Sequence, residues 1–438
     1  MNATASQADL TVTAWPGITP RLLRTGDGPE SAASYRAADG YRPLDDPAAL
    51  LDEIERAGLV GRGGAAFPMA VKLRVVRDAG LLPGYPRDTV VVANGEEGEP
   101  ASVKDRWLLH NRPHLVLDGL RLAARIVGAA HAHVYVSDPV AARSIEAALA
   151  EVGGPDALDG LTISVRTVEP GYVAGEESAA VRAINGGPAK PTDKPPRVFQ
   201  EGVGGLPTLV SNVETLANLP FIQRNGAAEY RRVGTDGSPG TFLATITGGG
   251  RPATLYELPF GVPVAEVLAA QGISADRVRG ALMGGYFAGL LGRQITTTTL
   301  DHETLRGLGS GLGCGAVSLL TDECPVAVAA AVLAYFDREN AGQCGSCFNG
   351  TAAMAAAAGA LRDGTATGED LARLERWSVV LRGRGACATL DAATNIAASL
   401  LATFPDEVAR HLTGDCPDCG GGVFTAERPF EVVWVEAR

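Results

Sequence analysis

The sequence predicts an α/β protein: a doubly wound sheet first, a small β-rich unit next, and a helical bundle last. Three observations predict it. Between residues 46 and 165, short uncharged apolar runs alternate with stretches of helical spacing, the pattern of strands joined by crossover helices. Residues 241–247 are β-branched and alternating, and a second strand-like run follows at 253–259. From 325 to 403 the chain carries four Ala- and Leu-rich helical segments with short connections, which predicts a bundle.

Taken in order, residues 1–45 are rich in Gly, Ala and Pro with weak periodicity, and read as an irregular leader. Asp46 as N-cap, Pro47 in the first turn and Gly58 at the end predict a helix over 46–58. A glycine-rich loop follows directly. Strand 89–93, helix 115–127, strand 132–136, helix 139–151 and strand 161–165 then build the sheet, which is expected over about 50–235. Residues 188–205 form a Pro-rich linker carrying Lys190, Lys194 and Arg197. In the β-rich unit, 264–270 is helical and 278–283 extended. The bundle helices fall at 325–336, 350–361, 368–381 and 390–403.

Composition narrows the class. The chain has 438 residues, which suggests about three domains. A net charge of −12 disfavours nucleic acid as a partner, because phosphate binding needs a basic surface. The longest nearly uncharged apolar stretch, 325–336, falls far short of a membrane span. The first residues show neither a basic region nor a long apolar one, so no secretory signal is visible and a cytoplasmic location is expected. Seven cysteines include two C-x-x-C pairs, Cys344/Cys347 and Cys416/Cys419, which read as metal or redox sites before disulfides. Cys314 and Cys324 read as small buried residues. The six histidines show no metal spacing, and His131 and His133 read as structural. A Ser-His-Asp elbow and a Walker loop are both missing from the sequence.

The chemistry concentrates in three loops. Gly61, Gly63 and Gly64 precede Phe67 with no bulky side chain between, so backbone N–H groups can close on a flat or phosphorylated ligand, and Lys72 adds a positive charge. Asn94, Glu96, Glu97 and Glu99 leave the carboxyl end of strand 89–93, where α/β folds place their ligands. Gly175, Glu176 and Glu177 follow strand 161–165 in the same way.

These motifs resemble the flavoprotein subunit of respiratory complex I and its relatives in NAD-linked hydrogenases and formate dehydrogenases. Where that family has GRGGAGFPxGxKW, this chain has GRGGAAFPMAVKL from 61 to 73; for NxDEGEPGxxKDR it has NGEEGEPASVKDR from 94 to 106. For GAYICGEETAL it has GYVAGEESAAV from 171 to 181, and for VNNVETLANV it has VSNVETLANL from 210 to 219. For ESCGxCxPCREG it has ENAGQCGSCFNG from 339 to 350, and Cys387 matches a late cysteine before a helix. The resemblance implies a Rossmann-like FMN-binding domain over 51–237 after a leader of 1–50. A β-grasp (SLBB-like) domain over 238–322 and a helical bundle over 323–438 with an iron–sulfur site would follow. It implies that Gly61, Arg62, Gly63, Gly64, Phe67, Lys72, Asn94, Glu96, Glu97, Gly175, Glu176, Glu177, Ser211, Asn212 and Thr215 hold FMN. Glu97 and Glu99 would lie beside the nicotinamide of NADH or NADPH, and Cys344, Cys347 and Cys387 would hold the cluster. Hydride would pass from the nucleotide to FMN, and single electrons through the iron–sulfur centre to a ferredoxin-like or thioredoxin-like iron–sulfur partner protein.

Three positions depart from that pattern. The family's Asp is Glu96 here. Arg197 and Val75 stand where stacking aromatics are expected, and Arg197 can stack on adenine or reach a 2′-phosphate. The first cysteine of the cluster motif is Ala341, although a [4Fe–4S] cube normally takes four thiolates. Several readings stay open: a lost cluster, a three-cysteine [3Fe–4S] or [4Fe–4S] centre, a fourth ligand from Cys416 or Cys419, zinc held by the two C-x-x-C pairs, or a separate metal knuckle at Cys416 and Cys419. The alternative to electron transfer is a non-catalytic subunit that keeps the flavin fold but has lost the nucleotide site or the cluster.

Overall fold

A computed structural model of the chain describes residues 10–24, 28–81, 88–419 and 424–434. Its first layer is a four-stranded, all-parallel sheet in the order Thr162–Thr167, His131–Val136, Val90–Asn94, Thr208–Asn212. Residues Val90 to Ala93 are buried on both faces, which is why they read as an unbroken apolar run. The chain winds outward from Val90–Asn94 through the next two strands, then returns to its other side with Thr208–Asn212. The topological switch therefore lies between Asn94 and Asn212, which are register partners at the carboxyl ends of adjacent strands. That edge is where open α/β sheets bind ligands.

The expected helices are present. Asp46 caps Pro47–Ala57 through the N–H groups of Ala48 and Ala49, and Gly58 closes it in the left-handed conformation. Pro113–Val127 is almost wholly buried and forms the centre of the α/β core. Pro139–Val152 is capped by Asp138.

The second layer is a six-stranded mixed sheet with helix Val264–Ala270 beside it, the β-grasp-like unit. Its strands run in the order Thr11–Ala14, Thr254–Pro259, Thr241–Gly248, Ala316–Leu320, Gly280–Met283, Leu290–Gly292. Here the structure corrects the sequence reading. The stretch expected to be irregular supplies an edge strand, Thr11–Ala14, which pairs parallel to Thr254–Pro259, and a helix, Ala32–Ala37. Just past the strand, the backbone N–H groups of Arg21, Leu22 and Leu23 all donate to the buried Glu257 carboxylate at 2.9–3.1 Å.

The bundle packs Pro325–Glu339, Gly345–Arg362, Gly368–Val380 and Thr389–Thr403 around a shared apolar core. A fifth helix, Pro405–Thr413, follows the four that were expected. Pro325–Glu339 is the spine of this unit: from Val326 to Phe336 all but Ala334 are buried. Tyr335 and Phe336 near its end pack edge-on against Tyr172 and Tyr286, beneath the acidic loop.

Candidate functional site

The three loops meet at the switch point around one cavity of about 800 Å³. Its walls include Gly61, Gly63, Gly64, Phe67, Lys72, Asn94, Glu96, Glu97, Glu99, Gly175, Glu176, Glu177, Ser211, Asn212 and Thr215. Val75, Tyr172, Arg197, Phe199, Cys314, Cys387 and Thr389 also line it.

The glycine loop is pinned at its base by Gly61, whose N–H donates to the Phe67 carbonyl at 2.9 Å. Gly64 has a φ of +118°, a conformation that a side chain strongly disfavours. The loop tip stays open, and Phe67 is half exposed at the cavity rim. Arg62 takes a different course from the expected one. Its side chain leaves the cavity and runs to the Tyr230 hydroxyl (3.0 Å), the Thr241 carbonyl (3.2 Å) and the face of Phe260. Only its backbone serves the site wall, donating to Thr215 Oγ1 at 2.9 Å.

The acidic loop places its carboxylates in three unlike settings. Glu96 is buried and accepts from the Gly171 N–H and the Ser137 hydroxyl, both at 3.1 Å; burial pushes its carboxyl up to about 7. Glu97 accepts from the Ser102 hydroxyl at 2.6 Å and from the N–H groups of Asp105 and Arg106 at 3.2 and 3.0 Å, so it caps helix Lys104–Asn111. Glu99 lies over Tyr286, whose N–H donates to Oε2 at 3.0 Å, while Oε1 is buried without a protein partner. Desolvation raises the Glu99 carboxyl to about 8. Of the two acids implied to face the nucleotide, Glu99 keeps an uncommitted oxygen and Glu97 does not.

At the mouth, Glu176 caps helix Glu177–Ile184 through the N–H groups of Ser178 and Ala179, and also accepts from the Ser178 hydroxyl. Lys194 sits 2.7 Å from Glu176, and Lys72 sits 3.3 Å from Glu177. Both lysines are part-exposed. Each lysine is thus paired with a carboxylate, and Glu176 already takes up the first free N–H groups of the helix.

Beneath the floor lies a network that the sequence did not reveal. Lys104 is buried with its Nζ 2.7 Å from Asp105, 3.0 Å from Glu214 and 3.2 Å from Asn212 Oδ1. Asn212 in turn donates to Asp105 at 2.7 Å. The Asn212 side chain is therefore committed to the wall, and its Cβ is 3.1 Å from where a Cβ on Gly63 would lie. Three carboxylates, Asp105, Glu97 and Glu214, surround one lysine. Their charge holds Lys104 well above the usual lysine range despite burial, while burial raises the Asp105 carboxyl. The sequence signal was the Lys-Asp pair inside the acidic motif, but charged residues normally read as surface.

The cavity's far wall joins the bundle through Cys387 and Thr389. Cys387 also borders a second, small cavity, together with Ala341, Cys344 and Cys347. Ala341 is buried there, and its carbonyl accepts from Lys190 at 2.9 Å. Burial, with Cys387 and Cys344 nearby, pushes the Cys347 thiol up to about 12. Cys416 and Cys419 do not join this group, so neither is its fourth ligand. Cys344 precedes helix Gly345–Arg362 at one end of the spine, whereas Cys416 lies 4.0 Å from Cys324, the residue before Pro325 at the other end. A helix of 15 residues separates the two ends by roughly 22 Å. His411 lies with Cys324, against the expectation that no histidine has a metal setting and that Cys324 is merely buried. Cys314, expected to be an ordinary buried residue, borders the large cavity.

Comparison with known proteins gives a consistent picture. Residues 54–221 match the model of the Nuo51 FMN-binding domain, and 327–411 match the iron–sulfur binding region of NADH-ubiquinone oxidoreductase F. The F 2 subunit of NADH-quinone oxidoreductase from Rhizobium meliloti is 31% identical over 415 residues, which is 90% of this chain and 97% of that protein. HndC, a subunit of the NADP-reducing hydrogenase of Solidesulfovibrio fructosivorans, is 30% identical over 418 residues, 91% of this chain and 84% of that one. Among solved structures, an NAD+-reducing [NiFe]-hydrogenase chain superposes with a TM-score of 0.76 at 32% identity; the match covers 84% of this chain and 63% of the hydrogenase chain.

Proposed function

The chain belongs to the family of NADH-quinone oxidoreductase F subunits, and on that footing we propose that it takes hydride from NADH or NADPH onto FMN and hands single electrons through an iron–sulfur centre to a protein acceptor. It is a flavoprotein oxidoreductase with the family's FMN-binding and iron–sulfur regions. The observation that carries the reading is Cys387, which borders both the large cavity and the small one holding Cys344 and Cys347. A single residue then separates the two-electron site from the one-electron site. When bound, FMN accepts a two-electron hydride and releases electrons one at a time.

The residues present fit the group. The glycine loop leaves an open backbone wall, Lys72 lines the cavity as a part-exposed cation, and Glu99 Oε1 is a buried oxygen with no protein partner at the cavity wall. We assign the phosphate to the mouth and the nucleotide to the rim formed by Phe67, Arg197 and Phe199. Glu99 holds a proton near neutral pH, so it can donate a hydrogen bond to a carboxamide oxygen without setting a second negative charge beside the ring. Glu97, Asp105 and Lys104 act by holding the loop and Asn212 in place. Cys344, Cys347 and Cys387 are the proposed cluster ligands, with Ala341 leaving the fourth corner to a non-protein ligand or to three-iron stoichiometry.

The relatives are subunits of larger redox enzymes by name. We propose a ferredoxin-like or thioredoxin-like iron–sulfur protein as the acceptor. Among the described residues no helix is long and apolar enough to cross a membrane, and we propose a cytoplasmic location. Acid release of the chromophore after reconstitution with excess FMN, followed by stopped-flow reduction with NADH and NADPH, tests the function. FMN that either donor bleaches supports it. Recovered FAD, or FMN that neither donor bleaches, rejects it.

A further inference from the structure

The far end of the spine helix carries a second set of metal-type ligands that the flavin and cluster chemistry does not use. Among the described residues, the ligand atoms of Cys324, His411, Cys416 and Cys419 all lie within 4.8 Å of one another. They come from three separate pieces of chain: the residue before the spine, the last turn of Pro405–Thr413, and the stretch 416–419, which ends in the short turn Pro417–Cys419. His411 Nε2 is 3.1 Å from Cys324 Sγ and 3.8 Å from Cys419 Sγ, and the Cys324 and Cys416 sulfurs are 4.0 Å apart.

These separations fit one small ion. Tetrahedral zinc, with bonds of about 2.3 Å to sulfur and about 2.0 Å to nitrogen, sets ligand atoms roughly 3.5–3.8 Å from each other. They do not fit disulfides, whose sulfurs are about 2.0 Å apart, and all seven cysteines are free. The histidine is already oriented. Its Nδ1–H donates to the Leu361 carbonyl at 3.1 Å, which fixes the tautomer and turns the Nε2 lone pair toward the three sulfurs. His411 and Cys324 are both nearly sealed from water. Asp418, inside the C-x-x-C turn, is drawn outward to Arg279 at 2.7 Å and so does not compete as a ligand.

We propose that Cys324, His411, Cys416 and Cys419 form a structural zinc site, separate from the iron–sulfur cysteines. Four protein ligands close the coordination sphere and leave no position for substrate, which marks the site as structural. It ties the last helix and the turn after it to the start of the spine. The two C-x-x-C pairs thus serve two different metals at opposite ends of one helix.

Elemental analysis of the full-length protein, purified aerobically without added metal and then reconstituted with iron and sulfide, tests this. About one zinc per chain is expected in the wild type and in Cys344→Ser, with iron lowered only in the latter. Cys416→Ser should lose zinc roughly tenfold or more while keeping its iron. Zinc that survives Cys416→Ser, or that disappears with Cys344→Ser, overturns the assignment, as does iron in place of zinc. Zinc-edge X-ray absorption on the wild type does not depend on any variant folding. Three sulfurs and one nitrogen around zinc support the site; an oxygen-rich shell or the absence of zinc rejects it.

Discussion

Glu97 and Arg106 are joined twice: the Glu97 carboxylate accepts the backbone N–H of Arg106 at 3.0 Å and its guanidinium Nε at 3.4 Å. With the Ser102 hydroxyl and the Asp105 N–H, this gives one carboxylate four donors. An acid that the motif suggests for catalysis is, in the fold, the clamp between the acidic loop and the helix that follows. Glu97→Gln turns an NH2 group toward these donors. The expected cost is about 1–3 kcal/mol of stability, with weaker flavin retention, measured by denaturant titration and flavin release. A variant as stable as wild type that is slow only in flavin reduction contradicts the clamp and restores a direct role.

Glu99 makes a pH prediction with a definite sign. Its carboxyl is raised to about 8 by burial, from an ordinary value of 4.5. The folded protein therefore holds a proton that the unfolded chain releases, so this group's contribution to stability falls as pH rises from about 4.5 to 8. The slope reaches at most about 1.4 kcal/mol per pH unit. Glu99→Gln should flatten that part of the stability–pH curve of the flavin-free protein. An unchanged slope in the variant assigns the effect to Glu96, whose carboxyl is raised to about 7 by the same cause.

Lys104→Met removes the cation that bridges Asp105 and Glu214. Breaking a buried ion pair from one side costs about 3–5 kcal/mol, because the partners stay buried and charged. The expected result is a poorly stable protein that no longer holds flavin, seen by thermal unfolding and by the flavin-to-protein ratio. Normal stability in this variant would show that the carboxylates there are already protonated.

Arg197 lies exposed on the cavity rim, with its backbone N–H bonded to Gln200 Oε1 at 3.1 Å. An exposed cation there should make nucleotide binding weaken as salt rises. Arg197→Phe should reduce that salt dependence and shift preference from NADPH toward NADH, read from stopped-flow flavin reduction with both donors. Equal salt dependence before and after the change removes Arg197 from the nucleotide site.

Ala341→Cys places a thiol beside Cys344, Cys347 and Cys387 in the small cavity. Because Cys416 and Cys419 belong to the other end of the spine, nothing there supplies the missing thiolate. Iron content and resistance to oxygen should both rise in the variant, followed by iron assay and the decay of visible absorption in air. No change in either would mean that the three cysteines hold no cluster.

The α/β sheet was legible because its central strand is buried on both faces, so 89–93 stands out as an uncharged apolar run. Its first helix announced itself through Asp46, Pro47 and Gly58. Thr11–Ala14 was not legible: four residues have no period to read, and their pairing partner lies far along the chain. The glycine and acidic loops declared a site, but not how each side chain is spent. Arg62 was implied by the resemblance to hold FMN, and instead its side chain ties the loop to the second sheet. Lys104 looks solvated and is buried. Cys324 and His411 gave no signal because a tetrahedral site can draw on segments at any separation, and only the helix ends bring these together.

The Glu257 carboxylate waits for donors that precede it by more than half the chain: Arg21 is 236 residues upstream. At roughly 5–20 residues per second, that interval of synthesis lasts on the order of 10–50 s. Through it, Leu22 and Leu23, both fully enclosed at the end, have no second sheet to cover them. The N-terminal edge strand must therefore wait for Thr254–Pro259 before it can join its sheet, although it is made first. The nascent chain must keep an apolar segment from wrong partners while its carboxylate anchor is still being translated. Slowed elongation between the two should raise aggregation, and a holding chaperone should suppress it.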